Sequence, residues 1–368
     1  MEAAAMFPLI DVAGTPRERG RTYGRLARAQ IERSIATYAG LFAYCGIEWS
    51  AAQERAAAYG DAIARLDAEL LEEIAGIAEG SRRNVNEILA LNARTEILPA
   101  SYLAPRYADF GECTALAVPP ALSETGGTLL AQNWDWVGAQ RRALVLLRIH
   151  ETDGSACLTL TEAGMLAKIG LNRHGFGVCL NILRSSADGA KPGVPVHALL
   201  RALLKCKDVE RAQAFAAGFS YGASSNVLCA DAGGAAANLE FSPQGLQVLR
   251  DDGAVLCHTN HFLRAAGGPG EAALPPSLSS EPRLARAQAL AATQHALGVA
   301  GLKRILRDES AGFLSICRRP DPALAAEVRL ESVASVIMEL EQRRMHVAPD
   351  VPALAEYRTV TLLEPVPA

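Results

Sequence analysis

A chain of 368 residues, half of them hydrophobic and 21% charged, reads as a globular protein with room for a large buried core. Its net charge of −4 and the lack of any basic run argue against nucleic-acid binding. No apolar run approaches the roughly 20 residues that span a bilayer. The first residues lack the charged start and cleavage signature of a secretory signal, so a cytoplasmic protein without membrane contact is the expectation.

Thr15-Pro16-Arg17-Glu18 has the form of a capping box with proline at the first helical position. A helix from there would turn Tyr23, Leu26, Ile31 and Ile35 toward a core. A second helical stretch is predicted over residues 51–79, where Leu66, Leu70, Leu71, Ile74 and Ile77 recur at three- and four-residue spacing, with Gly80 as its stop. A third covers 86–98.

The pattern changes at Cys113. Short β-like runs separated by turn residues follow: 113–118, 128–136, 143–150, 157–161, 169–171 and 176–183. A helical block at 197–217 precedes strands near 226–230, 236–241, 246–249 and 255–259. Another helical block at 282–297 precedes strands near 334–340, 345–348 and 358–363. Hairpin-joined strands with helical blocks between them predict an α+β fold built on antiparallel sheets. Neither a P-loop nor a dinucleotide-binding glycine motif is present, and no cofactor is expected.

Eight cysteines are spread along the chain without a C-x-x-C pair, so most should be small buried thiols. Cys113 differs from the others, because it opens the first strand of the β region. Gln132-Asn133-Trp134-Asp135-Trp136 ends the next run. Strands alternate faces, so Asn133 and Asp135 should share one face and the two indoles the other. In a hairpin Asp135 would lie near Cys113. A second polar cluster, Cys257-His258-Thr259-Asn260-His261, ends a later strand. It admits three readings: a metal site still lacking ligands, a Cys113/His dyad using His258 or His261, or two histidines bonded in a turn.

Ten blocks, in order along nearly the whole chain, resemble the isopenicillin-N acyltransferase-like family of cysteine N-terminal-nucleophile (Ntn) hydrolases, which also includes bacterial amidohydrolases. They are GTPRERG at 14–20, ELLEEIAGIAEG at 69–80, ILALNAR at 88–94, Cys113-Thr114, QNWD at 132–135, TEAG at 161–164, KIGLN at 168–172, LEFSP at 239–243, HTNH at 258–261 and FLSICR at 313–318. The resemblance implies a four-layer αββα sandwich. It implies a precursor that cuts itself between Glu112 and Cys113, into a helical piece 1–112 and a catalytic piece 113–368 that stay associated as one unit. It assigns Cys113 as the nucleophile, Asp135 as its positioning acid and Asn260 as an oxyanion donor. The expected substrate is a small N-acyl compound, with acyl-CoA as an optional donor.

Glu112 stands where the family commonly has glycine, and the family's late arginine has no assigned match near Arg329. In such an enzyme the base is the α-amino group freed by the cut, whose ordinary pKa of about 7.7–8.0 leaves a substantial minority of it unprotonated near neutrality. Two other functions remain open on sequence: an uncleaved Cys/His hydrolase, and a catalytically silent binding protein of the same fold.

Overall fold

The computed structural model describes residues 5–98, 113–250, 253–264, 268 and 270–363. Glu112, the residue before the expected cut, lies outside them. The chain starts with a strand that the sequence reading missed, β1 (Leu9–Gly14). Among the described residues, seven helices follow: α1 (Pro16–Leu26), α2 (Arg28–Tyr44), α3 (Trp49–Ala57), α4 (Gly60–Leu66), α5 (Ala68–Ser81), α6 (Val85–Asn92) and α7 (Arg94–Ile97). The Glu18 carboxylate accepts from both the amide and the hydroxyl of Thr15, so α1 starts where its capping pattern predicts.

Several helix expectations need correction, and the stretch 86–98 is two helices divided at Ala93. The chain bends at Ala27 between α1 and α2, so Tyr23, Ile31 and Ile35 are buried but Leu26 is 49% exposed. The stretch 51–79 is three helices. Asp67, whose side chain accepts from the Glu69 amide, caps the last of them. Gly80 does not stop it. The helix runs on through Ser81, and Arg82 takes the left-handed conformation that ends it.

Gly80 has another use. It lies in the crossing of α1 and α5 with Gly20, Gly24 and Gly76. A Cβ at Gly20 would run into the Glu73 carbonyl, at Gly24 into that of Ile77, at Gly76 into that of Arg17 and at Gly80 into that of Arg21. The two backbones touch, so there is no side chain to give way. Gly20→Ala or Gly80→Ala is expected to lower the unfolding free energy by about 1–3 kcal/mol or more, read as a lower midpoint in urea.

From Cys113 the chain builds two sheets. The strands are β2 (Cys113–Val118), β3 (Leu129–Val137), β4 (Leu144–Glu151), β5 (Ala156–Glu162), β6 (Ile169–Asn172), β7 (Phe176–Ile182), β8 (Ser225–Asp231), β9 (Ala236–Ser242), β10 (Gly245–Leu249), β11 (Leu256–His258), β12 (Leu330–Glu339), β13 (Arg344–Ala348) and β14 (Arg358–Thr361). One sheet has the order β1-β4-β5-β6-β7-β8-β9-β10 and the other β11-β2-β3-β12-β13-β14. All pairings between them are antiparallel except β1 with β4, which is parallel. Residues 1–112 are therefore not purely helical, because β1 adds an edge strand to the larger sheet.

Among the described residues, four further helices follow: α8 (Val196–Leu203), α9 (Val209–Ala216), α10 (Ser280–Ala292) and α11 (Val299–Leu306). The last of these was not foreseen. α10 and α11 cover the outer face of the six-stranded sheet, while α9 and α8, backed by α4 to α6, lie on the side of the eight-stranded one. Helices, sheet, sheet, helices is the α+β sandwich that the resemblance implied. Every residue of β2 and β3 is buried, because both faces of their sheet are covered.

On β2, Ala115 and Ala117 face the core between the sheets, while Leu116 and Val118 face the helical layer. The sheets are joined at Gln132, whose side chain donates to the Leu180 carbonyl at 2.6 Å and accepts from the Leu180 amide at 2.9 Å. No helix among the described residues is long and apolar enough to cross a membrane.

Candidate active site

Cys113 sits at the first position of β2, directly opposite Trp134 of β3. Residues opposite one another share a face, so the cysteine points between the sheets with the indole. Its backbone is held on all sides. The Cys113 amide donates to Asn260 Oδ1 at 2.6 Å. Its carbonyl accepts from Arg283 Nη1 at 2.7 Å and from Asn181 Nδ2 at 3.2 Å. Arg283 also reaches Thr114 Oγ1 and Asn260 Oδ1, each at 3.0 Å. Asn260 is fixed in turn: its amide donates to Ser280 Oγ at 2.8 Å and its Nδ2 to the Ile182 carbonyl at 2.9 Å.

Asp135 is next to Cys113 as expected, but its carboxylate leaves on the other face of β3, shared with Asn133. There it accepts from Ser332 Oγ at 2.6 Å, beside a bulge in the β3–β12 pairing, and its second oxygen has no partner among the described residues. It is the main chain of Asp135, not its carboxylate, that favours the thiolate form of Cys113.

Burial pushes the Cys113 thiol up, and the Asp135 carboxylate adds to this. Lys168, the Asp135 amide and Arg283 oppose it. Burial likewise lifts Asp135 to about 7, against Arg283 and Ser332, with Glu331 adding to the rise. A folded-state value above the unfolded one means that stability falls as pH climbs from about 4 to 7 and that the loss is complete above 7. Asp135→Asn should therefore be the more stable protein at pH 8, by on the order of 4 kcal/mol, and gain nothing at pH 4. Urea unfolding at the two pH values checks this. An equal difference at both pH values would refute it.

The histidines are engaged elsewhere. His258 meets the Thr259 carbonyl through Nδ1 at 2.8 Å and Glu240 through Nε2 at 2.9 Å. Nδ1 of His261 lies 2.8 Å from Ser280 Oγ. Among the described residues no group of three or more His, Cys, Asp or Glu is arranged to hold a metal, and no disulfide joins the cysteines.

The structure thus brings Cys113, Asn260 and the Asp135 backbone together, and adds two residues that the sequence reading missed. Asn181 comes from β7 of the facing sheet, and no local pattern marks it. Arg283 could have been found. It lies on the buried stripe of α10 with Ala287 and Ala291, four and eight residues on, where an arginine is out of place without a partner.

Comparison with known proteins agrees with the earlier resemblance. The model of the acyl-coenzyme A:6-aminopenicillanic acid acyl-transferase family matches residues 122–352. The 40 kDa form of acyl-coenzyme A:6-aminopenicillanic-acid-acyltransferase from Emericella nidulans is 32% identical over 317 residues, with 84% of each chain covered. Similar solved structures include penicillin V acylase from Agrobacterium tumefaciens (TM-score 0.43, 13% identity, 64% of this chain and 82% of that one). A variant of conjugated bile acid hydrolase from Clostridium perfringens is another (TM-score 0.45, 14% identity, 68% of this chain and 97% of that one). The family match and the 32% identity across most of both chains make this protein a member of the acyl-coenzyme A:6-aminopenicillanic acid acyl-transferase family.

Proposed function

We propose that the protein is a self-processing cysteine N-acyltransferase or amidohydrolase, acting on a small N-acyl compound through an acyl-cysteine thioester. The observation that carries this reading is the bond from the Cys113 nitrogen to Asn260 Oδ1. A main-chain amide at the edge of a structural strand needs only another backbone group. Here a buried side chain, itself anchored by Arg283 and Ile182, is built around that one nitrogen.

In the precursor the Cys113 sulfur attacks the carbonyl of Glu112. The C–N bond breaks to leave a thioester and a free α-amino group, and water then hydrolyses the thioester to release residue 112 as a carboxylate. Asn260 Oδ1 would hold the new amino group with its lone pair free to take the thiol proton. In turnover the sulfur attacks the substrate carbonyl, the leaving amine or thiol takes the proton, and water or an acceptor amine resolves the acyl-enzyme. A carboxamide has two N–H bonds. One of those on Asn260 Nδ2 goes to Ile182, and the other is the donor assigned to the oxyanion. By analogy with the Emericella nidulans relative, acyl-CoA is the proposed donor and 6-aminopenicillanic acid the first acceptor to try.

The pieces 1–112 and 113–368 would stay together. β1 is held in the larger sheet, and the Tyr23 hydroxyl is hydrogen-bonded to the segment after β5. Arg94 of α7 pairs with buried Glu162 at 3.0 Å. The test is the denatured mass of the purified protein before and after an acyl-CoA is added. Two pieces meeting at Cys113, with an acyl group on the second, are expected. A whole chain without an adduct would remove the proposal.

A further inference from the structure

Lys168 belongs to one of the family-like blocks but has no role in the mechanism above. It is buried. Its Nζ lies 3.0 Å from Glu162 Oε1 and 3.8 Å from the centre of the Trp134 ring. Trp134 is the residue opposite Cys113, so this ammonium stands on the face into which the sulfur points. Glu162 is not its partner alone. The same oxygen takes Arg94 Nη2 at 3.0 Å, and the other oxygen takes the Tyr38 hydroxyl. The Arg94 guanidinium lies over Trp136, 4.3 Å from the ring centre. Two buried cations therefore share one carboxylate, with indole faces filling the remaining space. A surplus buried cation is costly unless an anion meets it, and Cys113 is the group on this face that can become one.

We propose that Lys168 is a positioning residue for the nucleophile: its ammonium, held against Trp134 by Glu162, stabilises the Cys113 thiolate. The inference rests on Cys113 being the nucleophile.

The groups around Lys168 and the sulfur set the sign of the effect. Glu162 of β5 and the sulfur itself favour the ammonium, whereas Arg94 of α7 disfavours it, and burial brings Lys168 down to about 8. Tyr38 of α2 is bonded to Glu162 and held well above its usual value by burial. His197 of α8 is held well below its ordinary value by burial, with Arg94 and Lys168 adding to this, and so brings no charge. Glu96 of α7 is lifted to about 7 by burial and only partly offsets Arg94. Cys179 of β7 is held well above the usual thiol range. From the other side, Asp135 opposes the thiolate and Arg283 supports it. Lysine and thiol therefore titrate as a coupled pair, and removing the lysine leaves the thiol higher.

The test is the pH dependence of Cys113 alkylation by iodoacetamide, followed by mass on the peptide that contains it. The proteins are wild type, Lys168→Gln, Lys168→Met and Lys168→Arg. Methionine keeps the apolar stem over Trp134 and serves if the glutamine variant does not fold. In both neutral variants the midpoint should rise by about one pH unit, with alkylation near pH 7 about tenfold slower. Lys168→Arg should keep the wild-type midpoint. A midpoint unmoved in a folded neutral variant overturns the proposal. A wild-type Cys113 that reacts only after denaturation would instead remove the nucleophile reading beneath it.

Discussion

Cys113→Ala is expected to leave the chain whole and to abolish turnover, by on the order of 10⁴-fold or more. The alanine loses only a sulfur at a position that is 5% exposed. The main-chain bonds to Asn260, Arg283 and Asn181 are independent of the side chain, so the fold should survive. Two losses coincide in the variant. No sulfur attacks the Glu112 carbonyl, so no α-amino group is made, and no sulfur remains to accept an acyl group. The mass of the denatured chain separates self-cleavage from trimming by another protease. If Cys113→Ala is still recovered as two pieces meeting at residue 113, the cut is not made by this cysteine.

Arg283→Met should slow both self-cleavage and turnover by about 10²–10³-fold, the usual scale for removing one preorganised donor from a reacting centre. Arg283 binds the Cys113 carbonyl, Thr114 Oγ1 and Asn260 Oδ1 at once, so it fixes both the start of the strand that carries Cys113 and the amide that holds its nitrogen. Lysine cannot reproduce that planar fork, and Arg283→Lys should recover little. The two rates are read separately, one from the appearance of the cut pieces and one from product formation by the folded fraction. Cleavage and turnover within about threefold of wild type in the lysine variant would remove the guanidinium fork from the argument.

Legibility from sequence followed the range of the forces involved. Asp135 and Asn260 stood out because each lies in a dense polar cluster at the end of an apolar run, and Cys113 because it opens the first strand of the β region. The strands from β2 to β9 were readable because turns such as Asp153-Gly154 and 172–175 punctuate them. The break at Ala27 and the splitting of 51–79 were not readable, since helical spacing continues through both while packing decides the bends. Gly80 was misread for a related reason: glycine is a common helix stop, and only the neighbouring helix reveals that it serves as a contact surface. β1 was hidden because its partner, β4, begins at Leu144, far along the chain. Asn181 reaches Cys113 from the other sheet, and no local pattern reports a contact of that kind.

The placement of β1 bears on how long such an enzyme would last. A cut before Cys113 leaves β1 and the glycine-lined helix pair in one polypeptide and β4 in another. The uncut precursor would fold in a single-molecule process. The mature protein, once unfolded, would regain its native state only by a bimolecular encounter, so its apparent stability would depend on its own concentration. At low concentration each unfolding event would be effectively final, and the working lifetime would be set by the rate at which the larger sheet opens rather than by a folding equilibrium.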